Sequence, residues 1–428
     1  MNRILTTLAV TASALALAGT AQAQNLTIAN ARIITGVGGR IIDKGSVVVK
    51  DGKIVAVTEG ASKAPAKGAG KVINASGMTV IAGYIDDHRH IIHGERGPAG
   101  AAKFMKDDAA REMMELLESG VTTVQSGGDS PAVFDLRSKV ASGEIKGPRI
   151  IASAQVPVSK MKDEATVRAA IDKAIADYKP DSIAEVHFPI TEPPSTNIPT
   201  EQETRNLAAG IDEALKFHVP FQVHTSAPGA MTAALKAGAK KLVHTPHFGW
   251  LTDDEAKQVV TAHAWVSSCT GFGVPVFGVF NHNNVPTFRD GSKWPDDILN
   301  GEGRGREAGY KAVNGRTLWD NGVDYGYCTD TNYYAPAALA HELRTLNLMF
   351  SPIDMVKILG QNSADFIDMG DKLGTIETGK LADIVILGAN PMDGYWNFLT
   401  AEVVIKGGVV MVDKRGKPNA GKPIVHNP

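Results

Sequence analysis

The chain has 428 residues, 43% hydrophobic and 21% charged. That length calls for two domains or one large barrel with an elaboration, and the composition is that of an ordinary globular protein. A formal charge of −2 carries no basic or acidic bias, so neither nucleic acid nor a charged membrane surface is indicated as a partner.

Residues 1–23 read as a signal peptide. Arg3 gives a short positive start, 4–18 is an apolar run, and Ala21-Gln22-Ala23 is an A-x-A cleavage signal. The mature chain is expected to begin at Gln24, periplasmic or secreted, with no membrane attachment after cleavage. No cysteine follows the cleavage point, which speaks against a lipoprotein anchor.

From 24 to about 80 short β signals at 26–34, 45–49 and 53–57 are separated by Gly, Asp and Lys turns, as in an antiparallel meander. A strand over 78–90 follows and ends in Asp87-His88-Arg89-His90. The side-chain period of a strand is two, so His88 and His90 point to one side, where two neutral imidazoles can grip one cation. Alternation points Arg89 away from them, toward the helices.

Beyond 90, strand and helix patterns alternate. Strands are expected at 121–125, 149–154, 182–188, 221–225, 241–245, 265–269 and 324–328, with helices at 109–117, 165–178, 204–217, 229–236, 253–262, 304–319 and 337–349. With 78–90 this is the arithmetic of a (β/α)8 barrel. The Gly-, Pro- and Asn-rich stretch 272–301 reads as a long functional loop. Its aromatic and basic residues, among them Phe277, His282, Arg289 and Trp294, are candidates to close over a ligand or grip a carboxylate, the arginines having an ordinary reading as solvated surface groups. Cys269 and Cys328 fall in strand segments and are expected to be buried thiols, too few for a disulfide framework. Strand-like 382–387 and 402–412 return β structure at the far end, so both termini are expected to build one small sandwich.

Four further candidates fall at the C-terminal ends of expected strands, the face where barrel active sites are built: Glu185 with His187, His224, His244 and Asp330. Singly, each has an ordinary structural reading, as a hydrogen-bonded histidine or an N-capping aspartate. Together they set His, His, Glu, His, His and Asp on one rim. Glu185 and His187 share a strand face, so both point inward or neither does, and an inward His187 is expected near the substrate or behind the ligands. His247 lies past Pro246 in loop territory and is expected near the substrate. His93 is expected to line the entrance, and His341-Glu342 to be structural.

At this point the chain resembles the amidohydrolase superfamily of metal-dependent hydrolases, close to its imidazolonepropionase and prolidase-like dipeptidase branch. The resemblance rests on Gly83-x-Ile-Asp-x-His-x-His90, the Val-His224 and Val-His244 pair, Thr329-Asp330, and the tail from Leu373-Gly-Thr-Ile-Glu-Thr-Gly-Lys-Leu-Ala-Asp to Asn390-Pro391. It implies an α/β fold, a (β/α)8 TIM barrel (81–370) with a small β-sandwich from the two ends (24–80 and 371–428). It also implies one or two divalent ions, zinc first among them. His88 and His90 would hold the buried metal, and His224 and His244 the exposed one. Asp330 would contact the buried metal and act as general base toward water. Many members bridge their metals with a carboxylated lysine on strand four. No lysine stands there in this chain, and Glu185 takes the bridging place.

The expected activity is hydrolysis of an amide-type C–N bond in a small molecule, such as a dipeptide or an N-acyl amino acid. Lactone, carbamate or ester hydrolysis and deamination are alternatives on the same site, and a non-catalytic periplasmic binding protein is a further one. Homo-oligomer formation stays open.

Overall fold

The computed structural model describes residues 25–60, 70–92, 97–189, 198–271, 304–331, 334–418 and 420. The expected signal segment, His93 and the 272–301 loop lie outside the described residues. No helix among those described is long and apolar enough to cross a membrane.

The N-terminal segment forms β1 (Leu26–Ile34), β2 (Ile41–Lys50), β3 (Lys53–Glu59), β4 (Lys71–Asn74) and β5 (Thr79–Ala82). The single strand expected over 78–90 is instead two. β5 belongs to the terminal sheet, and β6 (Tyr84–Arg89) starts the α/β body. Gly83 stands between them, where a Cβ would meet Thr122 Oγ1 of the neighbouring segment at 2.2 Å, so glycine lets the chain lie this close.

The body continues through β7 (Val121–Ser126), β8 (Arg149–Ile151), β9 (Ser153–Ala154), β10 (Ser182–His187), β11 (Phe221–His224), β12 (Lys241–Val243), β13 (Trp265–Ser267) and β14 (Tyr325–Gly326). These strands pair in parallel as two sheets, β6-β7-β8 and β9 through β14 in chain order. The expected closed ring is therefore two arcs in the pairing of named strands. Two backbone bonds run between β6 and the segment after β14: Asp87 N–H to Tyr327 O (2.9 Å) and Asp330 N–H to His88 O (3.0 Å).

The helices between them are α1 (Gly97–Asp107), α2 (Ala109–Glu118), α3 (Ala132–Ser142), α4 (Glu164–Tyr178), α5 (Glu201–Lys216), α6 (Pro228–Lys236), α7 (Asp253–Thr261), α8 (Arg304–Asp320) and α9 (Ala335–Leu346). Their starts are chemically dictated. Thr200 with Glu203 and Thr252 with Glu255 form capping boxes at α5 and α7, and the Asp163 side chain accepts from Thr166 N at α4. α1 and α3 were not expected. The first opens Gly-Pro-Ala-Gly and the second follows Ser-Pro, signals that read as turns in sequence.

The chain ends in β15 (Ile384–Leu387), β16 (Ala401–Lys406) and β17 (Val409–Asp413). Both termini combine into one eight-stranded sheet, β17-β16-β15-β5-β1-β2-β3 with β4 beside β1. Alternation sorts its side chains into two cores. Val80, Ile384, Ile386, Val403 and Ile405 join a cluster with Ile28, Ile33 and Val47. Ile81, Val385, Leu387 and Val404 pack instead with the body, beside Tyr84, Val121 and Val124. Each such buried side chain stabilises by about 1.5–3 kcal/mol, so this docking holds the termini firmly on the body.

Candidate metal centre

Parallel strands covered on both sides bury even their polar residues. All six residues of β6 are buried, including Asp86, Asp87, His88 and Arg89. Asp87 turns to hydroxyls, taking bonds from Ser267 and Ser363. Asp86 accepts from Thr329 N (3.1 Å) and Thr329 Oγ1 (2.7 Å), and Arg89 Nη1 donates to the same Oγ1 (3.1 Å). Burial pushes Asp86 up to about 6, against the pull of Arg89 and Thr329. This clamp fixes the segment that carries Asp330 against the strand that carries the paired histidines.

The rim expected from sequence assembles. His88, His90, Glu185 and Asp330 present donor atoms that all lie within 4.8 Å of one another, and Glu185, His187 and His224 form a second such group. His88 Nε2 is 3.4 Å from Asp330 Oδ1 and 3.6 Å from Glu185 Oε1; His90 Nε2 is 3.3 Å from Asp330 Oδ1 and 3.5 Å from Glu185 Oε2. His244 Nε2 lies 2.9 Å from His224 Nδ1, 3.6 Å from Glu185 Oε1 and 3.7 Å from Asp330 Oδ2. His224 Nδ1 also contacts Glu185 Oε1 directly. His247 stands beside the cluster, its ring 6.2 Å from that of His244, with Nδ1 donating to Thr245 O.

These spacings fit a cation. Ligand atoms about 2.0–2.2 Å from a tetrahedral centre lie roughly 3.3–3.6 Å from each other, the separations around His88, His90, Glu185 and Asp330. His88 Nε2, which faces the cluster, is buried with no hydrogen-bond partner among the described residues, a state that buried polar atoms rarely adopt unless something else engages them.

The electrostatics agree. Burial alone would raise Asp330, yet His244, His88 and His90 hold it well below the usual carboxylate range; Glu185 is likewise held down, chiefly by His224. Burial lowers His88, but Asp330 and Glu185 overcome this and push it up to about 9. His244 is driven down to about 4 by burial and by His224. Two anions among five imidazoles thus gather positive charge, a role a divalent ion fills better than protons.

The strand ends aim these groups. His244, Cys269 and Asp330, beyond β12, β13 and β14, all take left-handed backbone, φ 79°, 41° and 49°. Each such turn costs about 1–3 kcal/mol and is characteristic of functional sites. Cys269 and Cys328 are joined as a disulfide, not held as two thiols. Both stand two residues past the paired Ser267 and Gly326 of adjacent strands, which brings their Cα atoms to 4.9 Å.

Sequence reasoning passed over the residues behind the donors. His88 Nδ1 donates to Gln222 Oε1 (3.3 Å), which leaves Nε2 to face the cluster. Gln222 sits two residues before His224 on the same strand face, so period two was the available signal. Asp129 accepts from Ile91 N and lies 3.8 Å from His90 Nδ1. Gln222→Leu is expected to weaken metal binding about 10–100-fold, the usual scale for an outer partner of a ligating histidine. Competition with a chromogenic chelator measures it, and unchanged affinity would show that Gln222 does not orient His88. His341 and Glu342 are buried on α9; Glu342 Oε1 accepts from Ser268 Oγ and Thr270 N and fixes the loop after β13.

A rim of this kind on parallel strands of a TIM-barrel-type α/β fold defines the class of metal-dependent hydrolases. The amidohydrolase family profile matches residues 79–422, and the chain belongs to that family. It is a hydrolase acting on carbon–nitrogen bonds. Among its relatives is the imidazolonepropionase of Alkaliphilus metalliredigens (strain QYMF), 22% identical over 87% of this chain and 92% of the relative. Among solved structures, a Xaa-Pro dipeptidase with bound methionine matches with TM-score 0.72 at 19% identity, over 90% of this chain and 99% of that one. A molinate hydrolase matches with TM-score 0.74 at 17% identity, over 95% and 98%. At such identities the structural likeness speaks for the fold.

Proposed function

We propose that this protein is a secreted, metal-dependent amidohydrolase that cleaves an amide C–N bond in a small molecule such as a dipeptide or an N-acyl amino acid. The observation that carries the reading is Glu185, whose carboxylate lies among His88, His90, His224 and His244 and opposite Asp330. A central carboxylate with two oxygens suits a bridge between two cations.

In this reading His88, His90 and Asp330 hold the buried ion, His224 and His244 the exposed one, and Glu185 both. Divalent ions held there supply Lewis acidity, acidifying water and polarising a carbonyl. Asp330 takes the proton of the attacking water and returns one to the leaving nitrogen. The anchored strand ends hold His244 and Asp330 in place, and His247 faces the substrate. The dipeptidase and imidazolonepropionase relatives support a C–N substrate. Zinc is the expected ion, from the imidazole and carboxylate donors.

The architecture follows suit. Bonds from β6 to the segment after β14 support a closed (β/α)8 barrel over 81–370. One face of the terminal sheet gathers around its own core, which supports a curled, sandwich-like domain from 24–80 and 371–428. Residues 1–23 would be removed on export to the periplasm.

The test is metal content per chain on protein purified without chelators, followed by hydrolysis of a panel of amides. Close to two ions, with activity abolished by chelation and restored by zinc, is expected. A protein that stays metal-free after zinc addition, or that is metal-replete yet inert across amides, cyclic amides and esters, overturns the reading.

A further inference from the structure

The second donor group is not the set that the resemblance implies. It contains Glu185 and His224 but brings in His187, the exposed histidine at the end of β10. His187 and His224 stand opposite each other in the register of β10 and β11. Their rings stack, centroids 4.4 Å apart and planes within 10°.

The two oxygens of Glu185 divide the surrounding histidines. Oε1 faces His88, His224 and His244. Oε2 faces His90 at 3.5 Å and His187 at 3.9 Å. The 3.9 Å gap is too long for a hydrogen bond and leaves room for an ion between ring and carboxylate. Ser159 Oγ donates to His187 O, so the strand end that carries the ring is pinned.

We propose that His187 is a further ligand of the second, more exposed cation, joining Glu185, His224 and His244; this rests on the metal-dependent reading given above. The side chain of His187 is 45% exposed against 11% for His224, so this position opens to solvent. With His244 beside His224, this gives the exposed ion three imidazoles and the Glu185 carboxylate, and zinc can expand to five-coordinate to take substrate or water as well. The exposed ion is accordingly the one that exchanges more readily.

The test titrates zinc, and separately cobalt, into chelator-treated full-length mature protein, comparing wild type with His187→Ala and His187→Asp. Wild type is expected to bind two equivalents. In His187→Ala the first should bind as in wild type, and the second should weaken more than about 100-fold, beyond the 10–100-fold scale of an outer-shell change. His187→Asp, which restores a ligand atom, should recover part of that loss, and the cobalt absorption of the second equivalent should change in both variants. Weakening within or below that 10–100-fold scale assigns His187 an orienting or substrate role and overturns the proposal. A raised KM with unchanged second-site affinity does the same. Wild type that takes up one equivalent overturns it while leaving a mononuclear hydrolase standing, whereas no uptake at all overturns the metal-dependent reading itself.

Discussion

Asp330→Asn is expected to cut turnover by roughly two to four orders of magnitude, the scale of a positioned acid–base group, while the protein keeps much of its metal. Asparagine has the shape of aspartate and retains one oxygen toward His88 and His90, so the donor ring survives. What it loses is the negative charge and the site that receives the water proton. The backbone holds through the change. Asp330 N–H bonds His88 O at 3.0 Å, and the neighbouring Thr329 stays clamped to Asp86 and Arg89. The kcat at saturating substrate, measured beside metal content on the same samples, decides the matter. Near-normal turnover in a metal-replete variant would remove Asp330 from the mechanism, whereas loss of activity in step with loss of metal would make it a ligand alone.

Much of this site was legible because strands impose a period of two on chemistry. His88 and His90 share a face by that rule, and so do Glu185 and His187; the structure brings His88, His90 and Glu185 into one donor group and Glu185 and His187 into a second. The strand-end positions of His224, His244 and Asp330 followed from counting βα units. What escaped was set by close approach and by neighbours distant in sequence. The need for Gly83 depends on Thr122 lying against it, and the pairing of Cys269 with Cys328 on two strands lying side by side. α1 and α3 hid behind Gly and Pro, which punctuate in sequence but are tolerated at helix starts. Arg89 was expected to point outward toward the helices. It is buried against Thr329, and its charge belongs to the clamp that sets Asp330. The terminal sheet read correctly as β structure from both ends, yet alternation within β15 and β16 could not say that each face would find a different core.

Glu185→Gln carries the other large effect. The carboxylate touches or approaches His88, His90, His187, His224 and His244, so its charge serves every cation position the rim offers. Glutamine preserves volume but presents one oxygen and an NH2 group, whose protons repel both imidazolium and metal. Metal affinity should fall more than about 100-fold, past the range of outer-shell changes, and turnover should fall with it. The metal-free protein offers a separate readout. In wild type the folded-state pKa of His88 is raised to about 9, above its unfolded value of about 6.5. A group raised in this way contributes stability that is fully present below pH ~6.5 and is lost as pH rises through the folded value. Metal-free wild type should therefore lose stability between about pH 6.5 and 9, and Glu185→Gln should flatten that slope because one of the two anions holding the proton is gone. Thermal denaturation across this pH range, in the presence of a chelator, measures both slopes. Equal slopes with full metal retention would place Glu185 outside the cation site.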